Sequence, residues 1–223
     1  MLSTYSEMGG VMDFKVFNIA GATSQKEAHL MTAQKTLESL AEHNDAYFKR
    51  LSSTSNTNRD DYFKVTFHPL TLDDAGEVTL KEFFGRYFNV KDQRPILLGK
   101  TGTPYQNIRV FNDYYYYDDL EVPENIVSLD SNNGSYATEG YSDAFFNPPH
   151  TFGHDRTNYE IGLFFLEFNN ILFDDINKIT VYAWSTDCSN YFDAGKEWWG
   201  SHFWTVHNPT KDWYIGIAAS TTD

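Results

Sequence analysis

The sequence predicts an α+β fold: an N-terminal helical segment packed on, or extending from, a largely antiparallel β-sheet, with a C-terminal β-hairpin. Three observations carry this prediction. A helix start signal at Ser24 precedes a long series of apolar residues at helical spacing. Most later apolar segments are short and bounded by Gly, Pro, Asn and Asp, as strands are. Helix comes first and strands mostly afterwards, an order that favours α+β over an alternating α/β fold.

Residues 13–20 alternate as a strand, which Gly21 breaks. Ser24 and Glu27 then match a capping box, in which hydroxyl and carboxylate satisfy free backbone amides at a helix start. Behind it Leu30, Ala33, Leu37, Leu40, Ala41, Tyr47, Phe48 and Leu51 share one helical face. A helix over 25–51 would be about 40 Å long at about 1.5 Å per residue, and His43-Asn44-Asp45 is where a break is expected. Residues 52–61, SSTSNTNRDD, have no apolar side chain and read as a linker. The chain is accordingly expected to be a single domain over 1–223. Its sub-boundary at 52–61 would part a strand and helical segment, 1–51, from a mainly β, acidic, aromatic-rich unit, 62–223.

Residues 62–68 alternate as a strand that stops at Pro69. Thr79 and Glu82 make a second capping box, opening a short helix through Phe88. Residues 95–98 and 107–111 read as strands around a Gly-Thr-Pro turn. Between 122 and 158 the chain is crowded with Asn, Ser, Gly, Pro and Tyr; so long a loop is uncommon in a domain unless it is functional. Residues 161–168 and 179–184 are apolar enough for buried strands. Residues 202–206 and 213–218 flank His-Asn-Pro-Thr-Lys-Asp and form the terminal hairpin.

Charge is divided unevenly. Up to Val110, 13 basic residues balance 13 acidic ones; from Phe111 onward 4 face 18, so the second part carries the whole net charge of -14. It also holds all five tryptophans, Trp184, Trp198, Trp199, Trp204 and Trp213. An acidic surface repels the polyanions DNA, RNA and anionic membrane, so neither nucleic acid nor membrane is an expected partner. The N-terminus lacks the basic and apolar regions of a secretory signal, and Cys188 is the one cysteine. No apolar run approaches the roughly 20 residues of a membrane span. A soluble, cytoplasmic protein is expected.

Several motifs bear on chemistry. Residues 71–82 resemble a calcium-binding EF-hand loop, with Gly76 sixth and Glu82 twelfth, but Thr71 and Ala75 stand where oxygen ligands belong. A turn leading to a capped helix is the reading. His150, His154 and Asp155 are the candidate transition-metal ligands, because two imidazoles and a carboxylate can chelate zinc or iron. Pro148, Pro149 and Gly153 argue against the helix that would align them, so no metal or other cofactor is expected. Cys188 beside Asp187 is a poor nucleophile, since a neighbouring negative charge disfavours the thiolate. Tyr114 to Tyr117, followed by Asp118 and Asp119, have the composition of a recognition surface or an ordinary edge strand.

The densest constellation is Asp187, Asp193, Glu197, Trp198, Trp199 and His202, between two expected strands. These residues form the candidate binding site. Asp187, Asp193 and Glu197 are also the candidate catalytic carboxylates, since glycosidases work with a carboxyl pair. The leading expectation is a noncatalytic acidic protein that recognises a basic protein partner, as an immunity or inhibitor protein would. One alternative is a carbohydrate-binding protein or glycoside hydrolase; another is a structural component of a phage or appendage.

Overall fold

A computed structural model describes residues 1–54, 63–85, 88–95, 140–149, 152–156, 158–197 and 199–221. Most of the expected linker, most of the strand at 95–98, the strand at 107–111, the tyrosine run and most of 122–158 lie outside the described residues.

In chain order the first elements are α1 (Leu2–Glu7), β1 (Met12–Phe17), α2 (Gln25–Thr54), β2 (Ala75–Val78) and α3 (Leu80–Phe84). There follow β3 (Phe88–Asn89), β4 (Arg94–Pro95), α4 (Tyr141–Phe146) and α5 (Asn158–Phe173). The last are β5 (Thr180–Trp184), α6 (Asp193–Lys196), β6 (Ser201–Asn208) and β7 (Trp213–Ser220). The chain divides into two units, one made of Met12–Val78 with Lys178–Thr222, the other of Met1–Val11 with Thr79–Asn177 and the terminal residue.

The first of these units is built on a five-stranded antiparallel sheet in the order β1-β7-β6-β5-β2. The expected terminal hairpin is present: β6 and β7 pair from Ser201 opposite Ser220 to Asn208 opposite Trp213. Its turn is fastened by Asn208, whose Oδ1 accepts the backbone N–H groups of Thr210 at 3.0 Å and Lys211 at 3.2 Å. The α+β expectation therefore holds.

Helix α2 lies on β6 and β7. Its Ala33, Leu37 and Leu40 join Tyr182, Trp184 and Phe203 in one buried cluster. Contact is close because β7 offers Gly216 there: a Cβ on that residue would overlap the Thr36 side chain of the helix. Unlike the expectation, α2 runs unbroken through His43-Asn44-Asp45. Each of these residues disfavours helix by at most about 0.7 kcal/mol, too little to interrupt a helix docked by its apolar face.

Residues 63–70 also depart from the expected strand, with Phe67 opposite Ser189 as an isolated bridge. Their backbone is satisfied by a turn instead of a ladder. Asn190 Oδ1 accepts from Thr66 N–H at 2.7 Å, and its Nδ2 donates to the Lys64 carbonyl at 2.9 Å. In residues 71–78 Thr71 and Asp74 close a capping box, and the chain then enters β2 before the capped helix α3.

The other unit is held by aromatic rings. Residues 161–168, expected as a strand, belong to the helix α5. Its buried Ile161, Phe164, Phe165, Phe168 and Leu172 recur at helical spacing, while Leu163 and Ile171 are 47% and 42% exposed. Phe83 of α3 stacks on Tyr141 of α4 at 4.9 Å, and the Tyr141 hydroxyl donates to Asn169 Oδ1 at 2.8 Å. The Thr79–Glu82 capping box forms, and α3 stops short of Phe88, at Gly85, whose φ is 72°. Among the described residues no helix is long and apolar enough to cross a membrane.

Candidate functional site

The segment from β5 to β6 is a chain of short, capped turns. Ser185 Oγ accepts from Asp187 N–H at 3.2 Å and opens the 3-10 turn Thr186–Cys188. Ser189 Oγ accepts from Tyr191 N–H at 3.1 Å and opens a second, Asn190–Phe192, which runs into α6. The same Ser189 hydroxyl donates to the Thr66 carbonyl at 2.8 Å, and His68 N–H donates to the Cys188 carbonyl at 2.7 Å. Two strips of backbone thus brace each other and fix where the loop's side chains emerge.

What emerges is carboxylate. The side chain of Asp187 is 88% exposed and that of Asp193 is 66% exposed. Lys196 ties the two together, its Nζ lying 2.7 Å from Asp187 Oδ1 and 3.4 Å from Asp193 Oδ1. Its hydrogen bond to Asp187 is the main reason that its pKa is raised. Glu197 is exposed, one residue beyond Lys196. Asp73 and Asp74 adjoin the loop, since the Asp74 carbonyl accepts the Ser185 N–H at 3.0 Å. Asp74 itself serves Thr71, whose backbone N–H and hydroxyl hold its pKa below the usual carboxylate range.

The aromatic members of the constellation do not join these carboxylates at the surface. Trp199 is 3% exposed, and Trp184 and Trp204 are each 5% exposed, so all three rings are core. Trp198 lies outside the described residues. In β6, Phe203 and Thr205 face α2, so alternation puts His202 and Trp204 on the opposite face of the sheet. There the two rings lie parallel, 4.7 Å apart, and burial pushes the His202 imidazole down to about 4. His202 is neutral at pH 7. Of the six residues, the structure brings together Asp187 and Asp193 around Lys196.

The metal candidates do not assemble among the described residues. His150 lies outside them, His154 and Asp155 are exposed, and no group of three or more His, Cys, Asp and Glu gathers where it could hold an ion. Cys188 is buried, and its thiol is pushed up to about 11, chiefly by burial. It stays protonated and packs as a small apolar group.

Sequence reasoning missed two features. His29 is a fully buried polar group of α2, bonded to Thr205 and Thr180 of the sheet; on the helix it reads as one more residue of an apolar stripe. Asp13 and Tyr191, 178 residues apart, meet through a 2.9 Å hydrogen bond, which no local pattern announces. No family model, curated protein or solved structure matches this chain.

Proposed function

We propose that this is a noncatalytic, cytoplasmic binding protein whose acidic surface around Asp187 and Asp193 recognises a basic protein partner. The observation that carries the reading is the exposure of these two carboxylates on a loop fixed by two capped turns. A fixed array of like charge steers an oppositely charged partner and loses little entropy on binding. The net charge of -14 supplies the long-range part of the same attraction. Catalysis by this loop has less support. Its two closest carboxylates share one ammonium, and its cysteine is a protonated, buried thiol. A sugar site would need exposed ring faces beside the carboxylates, and Trp199 offers none.

The test is a pull-down from cognate lysate at low and at high salt, with the wild type and an Asp187→Lys/Asp193→Lys variant. The expected result is a basic protein retained by the wild type at low salt, released at high salt, and absent from the variant. Equal retention by the variant would remove the loop from the interface.

A further inference from the structure

We infer that a cleft beside the C-terminal half of α2 is a binding site for an organic cation, a guanidinium or primary ammonium carried on an apolar stem. The inference stands apart from the acidic-surface reading and needs no protein partner. The cleft measures about 310 Å³, at the small end of the range of ligand sites. One wall is a single face of α2, where Leu40, His43, Asn44 and Tyr47 follow the i, i+3, i+4, i+7 spacing. Across from it stand Asp13 of β1 and Tyr191 of the β5–β6 loop, with Phe63 and Val65 completing the lining.

The lining asks for a ligand of two characters. Leu40 and Val65 are buried and apolar, whereas Tyr47 and Phe63 expose 43% and 51% of their surface at the rim. An exposed aromatic face attracts a cation, and the Arg50 guanidinium already lies 5.8 Å from the Tyr47 ring. Asp13 supplies the charge. Its Oδ2 accepts the Tyr191 hydroxyl at 2.9 Å, which orients the carboxylate and leaves Oδ1 for another donor.

Two groups show that this demand is not met from within the described residues. Among the described residues the cation paired with Oδ1 is Lys15, two residues along the same strand, at 3.6 Å. That is well beyond the roughly 2.8 Å of a charge-assisted hydrogen bond, so the carboxylate keeps its capacity. Asn44 is the second. Its Oδ1 is shielded from solvent and has no hydrogen-bond partner among the described residues. An acceptor buried without a donor is unfavourable, and turning the amide toward a ligand N–H in the cleft removes the penalty. A carboxylate, an amide oxygen seeking a donor and aromatic faces together select a cation with several N–H groups over an anion or a neutral apolar molecule.

The experiment is a titration of the whole chain with n-butylguanidinium, followed by backbone and side-chain amide NMR shifts, with neutral n-butylurea as the control. Saturable shifts at Asp13, Asn44 and Tyr191 are expected with the cation and not with the urea. Asp13→Asn should weaken binding by about 10-fold or more, while Lys15→Met, which removes the competing ammonium, should tighten it several-fold. Unchanged spectra away from the cleft confirm that each variant is folded. A tripeptide Gly-Arg-Gly that binds more tightly than n-butylguanidinium assigns the site to a protein side chain; weaker binding by the peptide assigns it to a small molecule. Shifts that do not saturate, that appear equally with the urea, or that survive Asp13→Asn overturn the proposal.

Discussion

His29 Nδ1 lies 2.8 Å from Thr205 Oγ1, inside the layer between α2 and the sheet. The same hydroxyl accepts the Trp184 indole N–H at 2.9 Å. An indole nitrogen only donates, so Thr205 Oγ1 is the acceptor there and its own hydrogen is available to Nδ1. With Nδ1 accepting it, Nε2 carries the ring proton and faces Thr180 Oγ1, 3.3 Å away. Burial, aided by nearby His207, pushes the imidazole down to about 3, so His29 is held in its neutral form.

Acid should therefore weaken the fold through this residue. In the unfolded chain His29 takes up a proton as pH falls through about 6.5, whereas in the folded chain it does so near 3. Between those values the unfolded state binds more protons, so the stability contribution is complete above about 6.5 and declines steadily below it. The loss should reach about 2 kcal/mol at pH ~5. Urea unfolding at neutral and acid pH measures it, and His29→Gln should flatten the pH dependence by that amount. A variant that loses stability as steeply as the wild type would contradict the assignment.

Thr205→Val keeps the shape of the side chain and removes the hydroxyl that both Trp184 and His29 use. Two buried polar groups are left unpaired, which should destabilise by about 2–4 kcal/mol. Thr205→Ser retains the hydroxyl and should lose under about 1.5 kcal/mol. Equal losses in the two variants, measured by denaturant midpoint, would mean that packing outweighs the hydrogen bonds.

Helix α2 and the hairpin of β6 and β7 announce themselves locally, through a cap at Ser24 and alternation closed by an Asn-Pro turn. Even there the cap differs in detail, since the Glu27 carboxylate accepts from both the backbone N–H and the hydroxyl of Thr23. Helix α5 is not legible locally, because an apolar run such as Ile161 to Phe168 satisfies a buried strand and a buried helix alike. Exposure of Leu163 and Ile171 decides between them, and exposure belongs to the fold. In the candidate site, proximity in sequence located the carboxylates of Asp187 and Asp193 but could not foresee that Trp199 and His202 turn inward. The Asp13–Tyr191 pair lies beyond any local reading, because β1 and the β5–β6 loop meet only through the fold.

Gly216 is required by Thr36. The helix residue, whose hydroxyl donates to the Thr32 carbonyl at 2.7 Å, occupies the space a β-carbon would take. Gly216→Ala should destabilise by about 1–3 kcal/mol, as overpacking does. Adding Thr36→Ala should recover part of that loss, giving a coupling that a double-mutant cycle detects. Strictly additive effects would show that the helix does not rest on this residue.

Cys188 should resist alkylation. With its thiol pushed up to about 11, the folded chain at pH ~8 holds roughly 100-fold less thiolate than an unfolded one. Burial slows reagent access further. Labelling by iodoacetamide should thus be at least about 100-fold slower in buffer than in denaturant. Comparable rates would place the thiol at the surface and reopen its chemistry.

Asp187 and Asp193 should matter for association and hardly at all for folding. Their ion pairs with Lys196 are solvent-exposed, and such pairs contribute about 0–1 kcal/mol. The turns beneath them are held by Ser185, Ser189 and Asn190, none of which needs the carboxylates. Asp187→Ala/Asp193→Ala should shift stability by under about 1 kcal/mol and leave the spectrum of the sheet intact. Capture of a basic partner should slow, with most of the change in the association rate and little in dissociation, because exposed charges act before contact. Stopped-flow association at two ionic strengths separates the effects: the wild type should lose rate as salt rises, and the variant should lose less. A variant that unfolds, or one whose association rate and salt dependence match the wild type's, would detach the acidic loop from the binding role assigned to it.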